Sequence, residues 1–460
     1  MGQGTVKLTD LNDFLRPSDA CILPVGGGMQ AASKPKPGSF ASPMYGKQSE
    51  EQAKIARVTL SDCITCSGCV TSAETILLDS AEALRAFESG CSDESRFAVV
   101  GLSQQAVASV AEKYGLGLVE TYEKLCTILK ELGASRVYDV SLARRICLLE
   151  HLAEVFTEIE KQQSIITSAC PGFVSYVEKK QGPEVISKLS KVKSPQAILA
   201  TLAKRLLPSA TEVAQGRKVW VATVMPCHDK KLEAARPELE YHETPEVDSV
   251  ITSDELDSII IKSFSPLSTV RRTSLDDDFG GDHGALGSVY LGELVGSGGY
   301  LEFTVRAVAE KYFGYKLPES LQFKTIGRGS DFKEYVLQDP AKEENMIKFA
   351  AAYGFKNVQK IMRSIAAGRC QYQYVEMMSC PGGCNNGGGQ IGGDVRDRNL
   401  LENVEAVYKQ GSVIDDLKDC KGVQIVYDLI GAEPGSDKAR KLFHTTFESR
   451  GEATLASLEW

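Results

Sequence analysis

The sequence predicts an α/β protein in which parallel sheets are flanked by helices. Two observations carry this prediction. Apolar strand-like runs alternate with helical patterns from about residue 96, and three cysteine-containing turns each follow such a run. The chain has 460 residues, 43% of them hydrophobic and 25% charged. This composition is typical of a globular protein with more than one domain.

Charge and hydropathy exclude several classes of partner. The chain has 61 acidic and 52 basic side chains, a net charge of −9, and shows no basic patch, so we expect no nucleic-acid role. No run approaches the roughly 18 uninterrupted apolar residues of a membrane span. The first residues, MGQGTVKLTDLNDF, lack the apolar core of a secretory signal. We therefore expect a cytosolic protein without a membrane partner.

The number of cysteines points to metal or redox chemistry. There are 13, an odd number, and several lie in clusters. In a reducing cytosol, clustered thiols are typical of metal or redox sites rather than of disulfides.

The N-terminal part of the chain predicts a small separate unit. Residues 5–25 have the pattern of a short capped helix that leads to Cys21. Residues 26–52 are rich in Gly, Pro, Ser and Lys and show no periodicity, which predicts a flexible loop. A run of three cysteines follows this loop.

Strand–helix units dominate the rest of the chain. FAVVGLS is followed by QQAVASVAEKYG, and SRVYDVS by LARRICLLEHLAEVF. Units of this length predict parallel strands covered by helices. Residues 236–282 have the composition of a surface insertion, and VGSGGYLEFTVRAVAEKYFG predicts a helix that begins near Gly298.

The first cysteine group reads DCITCSGCVTSAE and contains Cys63, Cys66 and Cys69. The C-x2-C-x2-C spacing is typical of iron–sulfur ligands. Position 73 is Ala, so no local fourth ligand follows, and Cys21 is the only cysteine upstream. Zinc also accepts four thiolates, but its C-x2-C pairs are usually separated by a longer gap. The tight run therefore favours a [4Fe–4S] cluster over zinc.

The second group is dispersed over three turns. TSACPGF surrounds Cys170, MPCHDKKLE surrounds Cys227, and MMSCPGGCNNGGGQ contains Cys380 and Cys384. Each turn follows an apolar run, namely SIIT, VWVATV and YQYVEMM, and so lies at the carboxyl end of a predicted strand, where open α/β sheets build their sites. A single buried cysteine is more often an inert small hydrophobe. Four cysteines in three such turns favour a metal site.

These three turns resemble the signature loops of iron-only hydrogenases, TSCCPxW, MPCxxKxxE and CPGGCxxGGGQ. With the N-terminal cysteine run, the resemblance spans about residues 60–430. It implies a two-lobed hydrogenase-like fold, an N-terminal ferredoxin-like cluster domain and a second cluster buried between the lobes. Lys230 and Glu233 match the second loop.

Departures from the hydrogenase pattern indicate another use of the scaffold. Ala169 replaces the cysteine that shuttles protons in hydrogenases, Phe173 replaces Trp, and Ile391 replaces a Pro that ends the third loop. An alanine has no proton to exchange, so the route for hydrogen chemistry is lost. The resemblance therefore implies a protein that is not an enzyme. The alternative, a hydrogenase-like redox enzyme whose di-iron unit is bridged by Cys384, is disfavoured by Ala169.

The departures and the opening LTDLNDFLRPSDACILP resemble the hydrogenase-like proteins of eukaryotic cytosolic iron–sulfur assembly, the Nar or nuclear prelamin A recognition factor-like family. The resemblance implies two [4Fe–4S] clusters. Their ligands would be Cys21, Cys63, Cys66 and Cys69 for one cluster and Cys170, Cys227, Cys380 and Cys384 for the other. It also implies an adaptor, cytosolic and in part nuclear, that links early scaffold ATPases to a late targeting complex. A zinc-bound interaction module remains a third interpretation.

The last residues resemble a docking signal. Leu458, Glu459 and Trp460 are similar to the C-terminal tripeptide by which clients dock on the WD40-type subunit of the targeting complex. The simpler alternative is an accidental ending. We thus divide the chain into an N-terminal cluster domain at 1–75, a two-lobed domain at 76–445 and a tail at 446–460.

Overall fold

A computed structural model describes residues 79–207, 216–264, 266–279, 295–318, 320–327, 331–340, 342–392, 398–411 and 420–450. The predicted helix at 5–25, the loop at 26–52, the first cysteine group and residues 451–460 lie outside these ranges. The predicted ferredoxin-like domain is therefore not described. Among the described helices, none is both long and apolar enough to cross a membrane.

The described elements alternate between strands and helices along most of the chain. The strands are β1 Arg96–Leu102, β2 Arg136–Asp139, β3 Ile165–Thr167, β4 Lys218–Met225, β5 Glu240–Tyr241, β6 Thr244–Pro245, β7 Ser249–Thr252, β8 Lys324–Thr325, β9 Phe332–Asp339, β10 Lys342–Tyr353 and β11 Tyr374–Met378. The helices are α1 Ser80–Ser92, α2 Gln104–Tyr114, α3 Leu118–Glu131, α4 Ser141–Glu160, α5 Pro171–Lys180, α6 Pro183–Ile186, α7 Pro195–Thr201, α8 Asp229–Ala234, α9 Ser253–Ser263, α10 Tyr300–Val308, α11 Phe355–Ala366, α12 Arg398–Tyr408, α13 Lys421–Ile430 and α14 Asp437–Phe443.

The first sheet has the order β2-β1-β4-β7, and all of its strand pairs are parallel. In β1, Val99 pairs with Arg136 on one side and with Val221 on the other. Six of the seven residues of β1 are buried, which is typical of a central parallel strand covered on both faces.

The second sheet is mixed. Its order is β3-β11-β10-β9-β8. The pairs of β11 with β3 and with β10 are parallel, whereas β9 pairs antiparallel with both β10 and β8. The predicted α/β fold with parallel sheets and flanking helices is thus confirmed, and the sequence missed the antiparallel edge of the second sheet.

Both predicted strand–helix units are present. FAVVGLS forms β1 and is followed by α2, which Ser103 caps by accepting a hydrogen bond from the Ala106 N–H. SRVYDVS forms β2 and is followed by α4. The helix predicted near Gly298 begins at Tyr300, after Gly299 with a φ of 74°.

The prediction of a surface insertion at 236–282 is wrong for its central part. Strand β7 is fully buried and pairs in parallel with β4 at the edge of the first sheet. Thr252 and Glu255 then form a capping box that starts α9. The run SVIT is too short to show alternation, and its burial arises from pairing with a remote strand.

Residues 446–450, which the sequence assigns to the tail, contact the body. Phe447 packs against the core of the second sheet and under the Arg236 guanidinium. The Arg450 N–H donates to the Glu178 carbonyl oxygen at 2.7 Å. The buried Glu178 carboxylate also accepts two hydrogen bonds from Arg236, at 2.7 and 2.9 Å. The chain is thereby anchored on α5 before residue 451.

Candidate metal centre

The sheet order brings the three cysteine turns to one place. Strands β3 and β11 are neighbours, so the turns that carry Cys170 and Cys380 leave the same end of the second sheet. Cys227 follows β4 of the first sheet. The site therefore draws ligand candidates from both sheets, as expected for a centre between two lobes.

The first turn is fixed by a serine. The Ser168 hydroxyl donates to the Met377 carbonyl oxygen of β11 at 2.6 Å and accepts the Cys170 N–H at 3.1 Å. Cys170 is the N-cap of α5, and Pro171 occupies the first helical position, where a missing N–H costs nothing. The side chain of Cys170 is only 8% exposed. It is thus held at the positive end of a helix, where negative charge is stabilised.

The second turn places a buried cation beside Cys227. The Lys230 ammonium donates to Glu233 at 2.7 Å. Burial alone would lower the pKa of Lys230. Glu233 and the Cys227 and Cys384 thiolates together more than offset the effect of burial, so the pKa of Lys230 is raised. Lys230 can therefore balance negative charge on the cysteines.

The third turn depends on backbone conformations that favour glycine. Gly382 and Gly383 have φ values of 72° and 85°. The Gly382 N–H donates to Asp331 Oδ1 at 2.9 Å, and the Cys384 N–H donates to Ser297 Oγ at 3.1 Å. A Cβ atom on Gly383 would lie 2.2 Å from Ser297 Oγ. This turn is therefore held in place by side chains remote in sequence.

The second and third turns meet through backbone atoms. The Gly389 N–H donates to the Pro226 carbonyl oxygen at 2.9 Å. A Cβ on Gly387 would lie 2.3 Å from the same oxygen, whereas a Cβ on Gly388 would meet nothing within 4 Å. The contact that positions Cys227 against the third turn thus has no room for a side chain at 387.

The four thiols lie close enough to influence one another. Burial raises the pKa of each of them, to about 12 for Cys384. The Cys170 thiolate raises the pKa of Cys384 further, and Cys170 and Cys227 do the same for Cys380. Four thiolates can therefore coexist here at neutral pH only if positive charge compensates them, and iron bound by them would supply that charge.

The buried polar groups beside the cysteines test whether a cluster fits this site. In the described part of the chain, no group of three or more His, Cys, Asp or Glu side chains is arranged to hold a single metal ion. The Asn385 amide beside Cys384 and His228 Nδ1 beside Cys227 are buried without hydrogen-bond partners among the described residues. Polar groups of this kind suit a sulfide-containing cluster, so the residues fit a [4Fe–4S] group.

A small cavity of about 70 Å³ adjoins Cys384. Ala169, Lys230, Cys384, Arg144 and Tyr300 contribute to its lining. The methyl group of Ala169 thus lies where the hydrogenase pattern has a thiol. Among the lining atoms, Ala169 adds no ionisable group.

Sequence reasoning missed three residues that hold the turns. Ser168 bridges two strands, Asp331 fixes the Gly382 N–H, and Ser297 fixes the Cys384 N–H. Ser297 lies in the glycine-containing turn just before α10, and its hydroxyl makes this contact. No local signal around Asp331 predicts its role.

Comparison with known proteins agrees with this geometry. Residues 96–388 match the family described as iron only hydrogenase large subunit, C-terminal domain. The structure is similar to [FeFe]-hydrogenase HydA1 from Chlamydomonas reinhardtii, with a TM-score of 0.69 and 25% identity over 81% of this chain and 99% of that chain. The fold is that of the iron-only hydrogenases, a class of iron–sulfur proteins.

Full-length relatives narrow the assignment. The chain is 36% identical to cytosolic iron-sulfur assembly component 3 from Bos taurus, over 99% of both chains. It is 35% identical to Protein NAR1 from Arabidopsis thaliana, over 96% of both chains. The chain belongs to the family of cytosolic iron–sulfur assembly component 3 and NAR1, which confirms the family resemblance of the sequence and supports iron–sulfur cluster binding.

Proposed function

We propose that the protein is a component of the cytosolic machinery that assembles iron–sulfur proteins. The main support for this proposal is that the chain is similar, over nearly its whole length, to relatives named as cytosolic assembly components. The substitution of Ala169 in the hydrogenase turn supports a role other than hydrogen chemistry. In this proposal the protein is an adaptor in the cytosol and in part the nucleus, and not an enzyme.

The proposed adaptor holds two [4Fe–4S] clusters. Cys170, Cys227, Cys380 and Cys384 would hold the inner cluster, which is supported by their convergence and by the buried polar groups beside them. Cys21, Cys63, Cys66 and Cys69 would hold the other, and they lie outside the described residues. Bound iron would supply the positive charge that the thiolates need, while α5 and Lys230 stabilise the remaining negative charge.

Depletion of the protein tests the proposed function. We expect the activity of cytosolic iron–sulfur enzymes to fall severalfold, while mitochondrial iron–sulfur enzymes keep theirs, because only the cytosolic route would use this adaptor. The measurement is enzyme activity in fractionated cells with and without the protein, restored by the wild-type chain. Equal activity of the cytosolic enzymes in both samples would contradict the proposal.

A redox enzyme is the alternative that one observation keeps open. Cys384 and Lys230 line the small cavity beside Ala169, on a fold shared with hydrogenases. Infrared bands from metal-bound carbon monoxide or cyanide in anaerobically purified protein, together with hydrogen evolution, would favour this alternative. Their absence beside a full iron content would favour the adaptor.

The tail residues Leu458, Glu459 and Trp460 would bind the WD40-type subunit of the targeting complex, and another surface would bind the scaffold ATPases. Deletion of Trp460 is expected to weaken binding to the WD40-type subunit at least tenfold, because a buried indole contributes much of the energy of small interfaces. Pull-down with purified subunit measures this, and iron content is the control. Undiminished binding after the deletion would remove the tail from the proposal.

A further inference from the structure

A groove of about 900 Å³ runs along the exposed face of α11. Its lining combines two kinds of side chain. The apolar part includes Ile326, Phe355 and Pro381, and the cationic part consists of Lys356, Lys360, Arg363 and Arg369. The opposite face of α11, with Val358 and Ile361, is buried in the core of the second sheet. The groove is thus a surface feature of a helix that is firmly packed underneath.

Three of the four cations of the groove form one stripe along α11. Lys356, Lys360 and Arg363 are spaced at i, i+4 and i+7, which places them on one face of the helix. All four cations are exposed. None of them forms an ion pair with another described residue, although Lys360 lies over the Phe332 ring at 4.7 Å. The positive charge of the stripe is therefore not neutralised by the part of the chain that the structure describes.

The groove offers almost no negative charge. Asp331 is the one carboxylate among the described lining residues, and its Oδ1 already accepts the Gly382 N–H. The whole chain has a net charge of −9. A cationic groove on an acidic protein is a local exception, and it selects for an anionic occupant.

One end of the groove is formed by the third cysteine turn. Pro381 directly follows Cys380 in the chain and lines the groove. A Cβ atom on Gly354, at the start of α11, would lie 3.6 Å from Pro381 Cγ. The Gly354 N–H donates to the Met378 carbonyl oxygen at 2.9 Å. The helix that bears the cations is thus tied to the turn that carries Cys380.

We infer that this groove docks an acidic segment of a partner protein against the turn that carries Cys380. The apolar lining calls for a segment that combines carboxylates with apolar side chains. A nucleic acid fits less well, because four cations offer few phosphate contacts and the rest of the protein repels phosphate. The inference deepens the proposed function, since the docked segment would lie beside a ligand of the inner cluster. It rests on that function for the reason why a partner would dock there.

Peptide binding to a charge-reversed groove tests the inference. The variant is Lys356→Glu with Arg363→Glu, which leaves the Lys360–Phe332 contact intact. The probe is a short dye-labelled peptide that alternates pairs of glutamate with leucine, and fluorescence anisotropy measures its affinity for the iron-loaded protein. We expect about a tenfold loss of affinity, since each exposed ion pair contributes modestly.

The matched control is Lys409→Glu with Lys421→Glu. Both residues are exposed lysines away from the groove, and the double change alters the net charge by the same amount. We expect the control to bind the probe nearly as the wild type does, and added salt to weaken binding to both. An equal loss in the control and the groove variant would overturn the inference.

Two further outcomes would assign the groove to another occupant and so overturn it. In the first, a single-stranded DNA oligonucleotide binds more tightly than the peptide, and this binding depends on Lys356. The other is tighter peptide binding after removal of residues 451–460, which would mean that the protein's own acidic tail competes for the groove.

Client-enzyme activity separates failure of this inference from failure of the proposed function. If depletion leaves cytosolic enzyme activity unchanged but the groove variant still binds the peptide more weakly than the control, the docking inference is supported and the assembly role is contradicted. If depletion lowers this activity but both variants bind the peptide equally, the assembly role is supported and the docking inference is contradicted. Iron content should equal that of the wild type in both double variants.

Discussion

Replacement of Cys380 by serine is expected to remove about half of the bound iron, because each of the two proposed cubane clusters would hold four irons. A serine hydroxyl stays protonated at neutral pH and cannot replace a thiolate ligand. Burial and the negative charge of the other three inner cysteines raise the pKa of Cys380, so the four thiols lie close together. Iron and acid-labile sulfide of anaerobically purified protein provide the measurement. Replacement of Cys170, Cys227 or Cys384 should give the same loss, since the four act as one unit.

The control for this prediction is Cys126→Ser. Cys126 is also buried, but it lies in α3 and contacts the Ser274 carbonyl oxygen at 3.4 Å, remote from the three turns. It should keep its full iron. Full iron in the Cys380 variant would show that this residue is not a ligand, and zinc in place of iron would exclude the cluster altogether.

Replacement of Gly387 by alanine should damage the same site without touching a ligand. The new Cβ would lie 2.3 Å from the Pro226 carbonyl oxygen and 3.1 Å from that of Cys384. Backbone atoms cannot move aside cheaply, so the second and third turns must separate. Overpacking of this kind costs about 1–3 kcal/mol. We expect a lower melting temperature and a loss of inner-cluster iron.

Gly388→Ala is the matched control, because its Cβ would meet no atom within 4 Å. The two changes are chemically identical and lie at neighbouring positions. Thermal unfolding followed by circular dichroism, with iron content in parallel, should separate them clearly. If both variants retain iron and melt together, the close approach of Gly387 to Pro226 does not control the site.

Local pattern was sufficient to predict those parts of the fold whose signal is local. The Val-rich run of β1 and the helical pattern of α4 each specify their own element, so both were predictable. Strand β7 was not, because its four residues become a strand only by pairing with β4. The antiparallel pairing of β9 and β8 likewise depends on partners rather than on composition.

The candidate site was predictable in its residues but not in its assembly. The sequence motifs around Cys170, Cys227 and Cys380 marked three strand ends, and the family resemblance indicated that these cysteines belong to one site. Which strands are neighbours is set by the sheet order, which no single stretch of sequence contains. The same holds for Asp331 and Ser297, whose hydrogen bonds to the third turn span 51 and 87 residues.

The inner cysteines come from both sheets, and this has a consequence for the lifetime of the protein. A cofactor held in this way would act as a cross-link between the two sheets. Its oxidative loss would therefore destabilise the fold as well as remove the cofactor. The contact between the two sheets would then open more often. Cellular proteases cleave a chain in proportion to how often it opens, so cleavage would become faster. Oxygen exposure would in this way set the turnover of the protein.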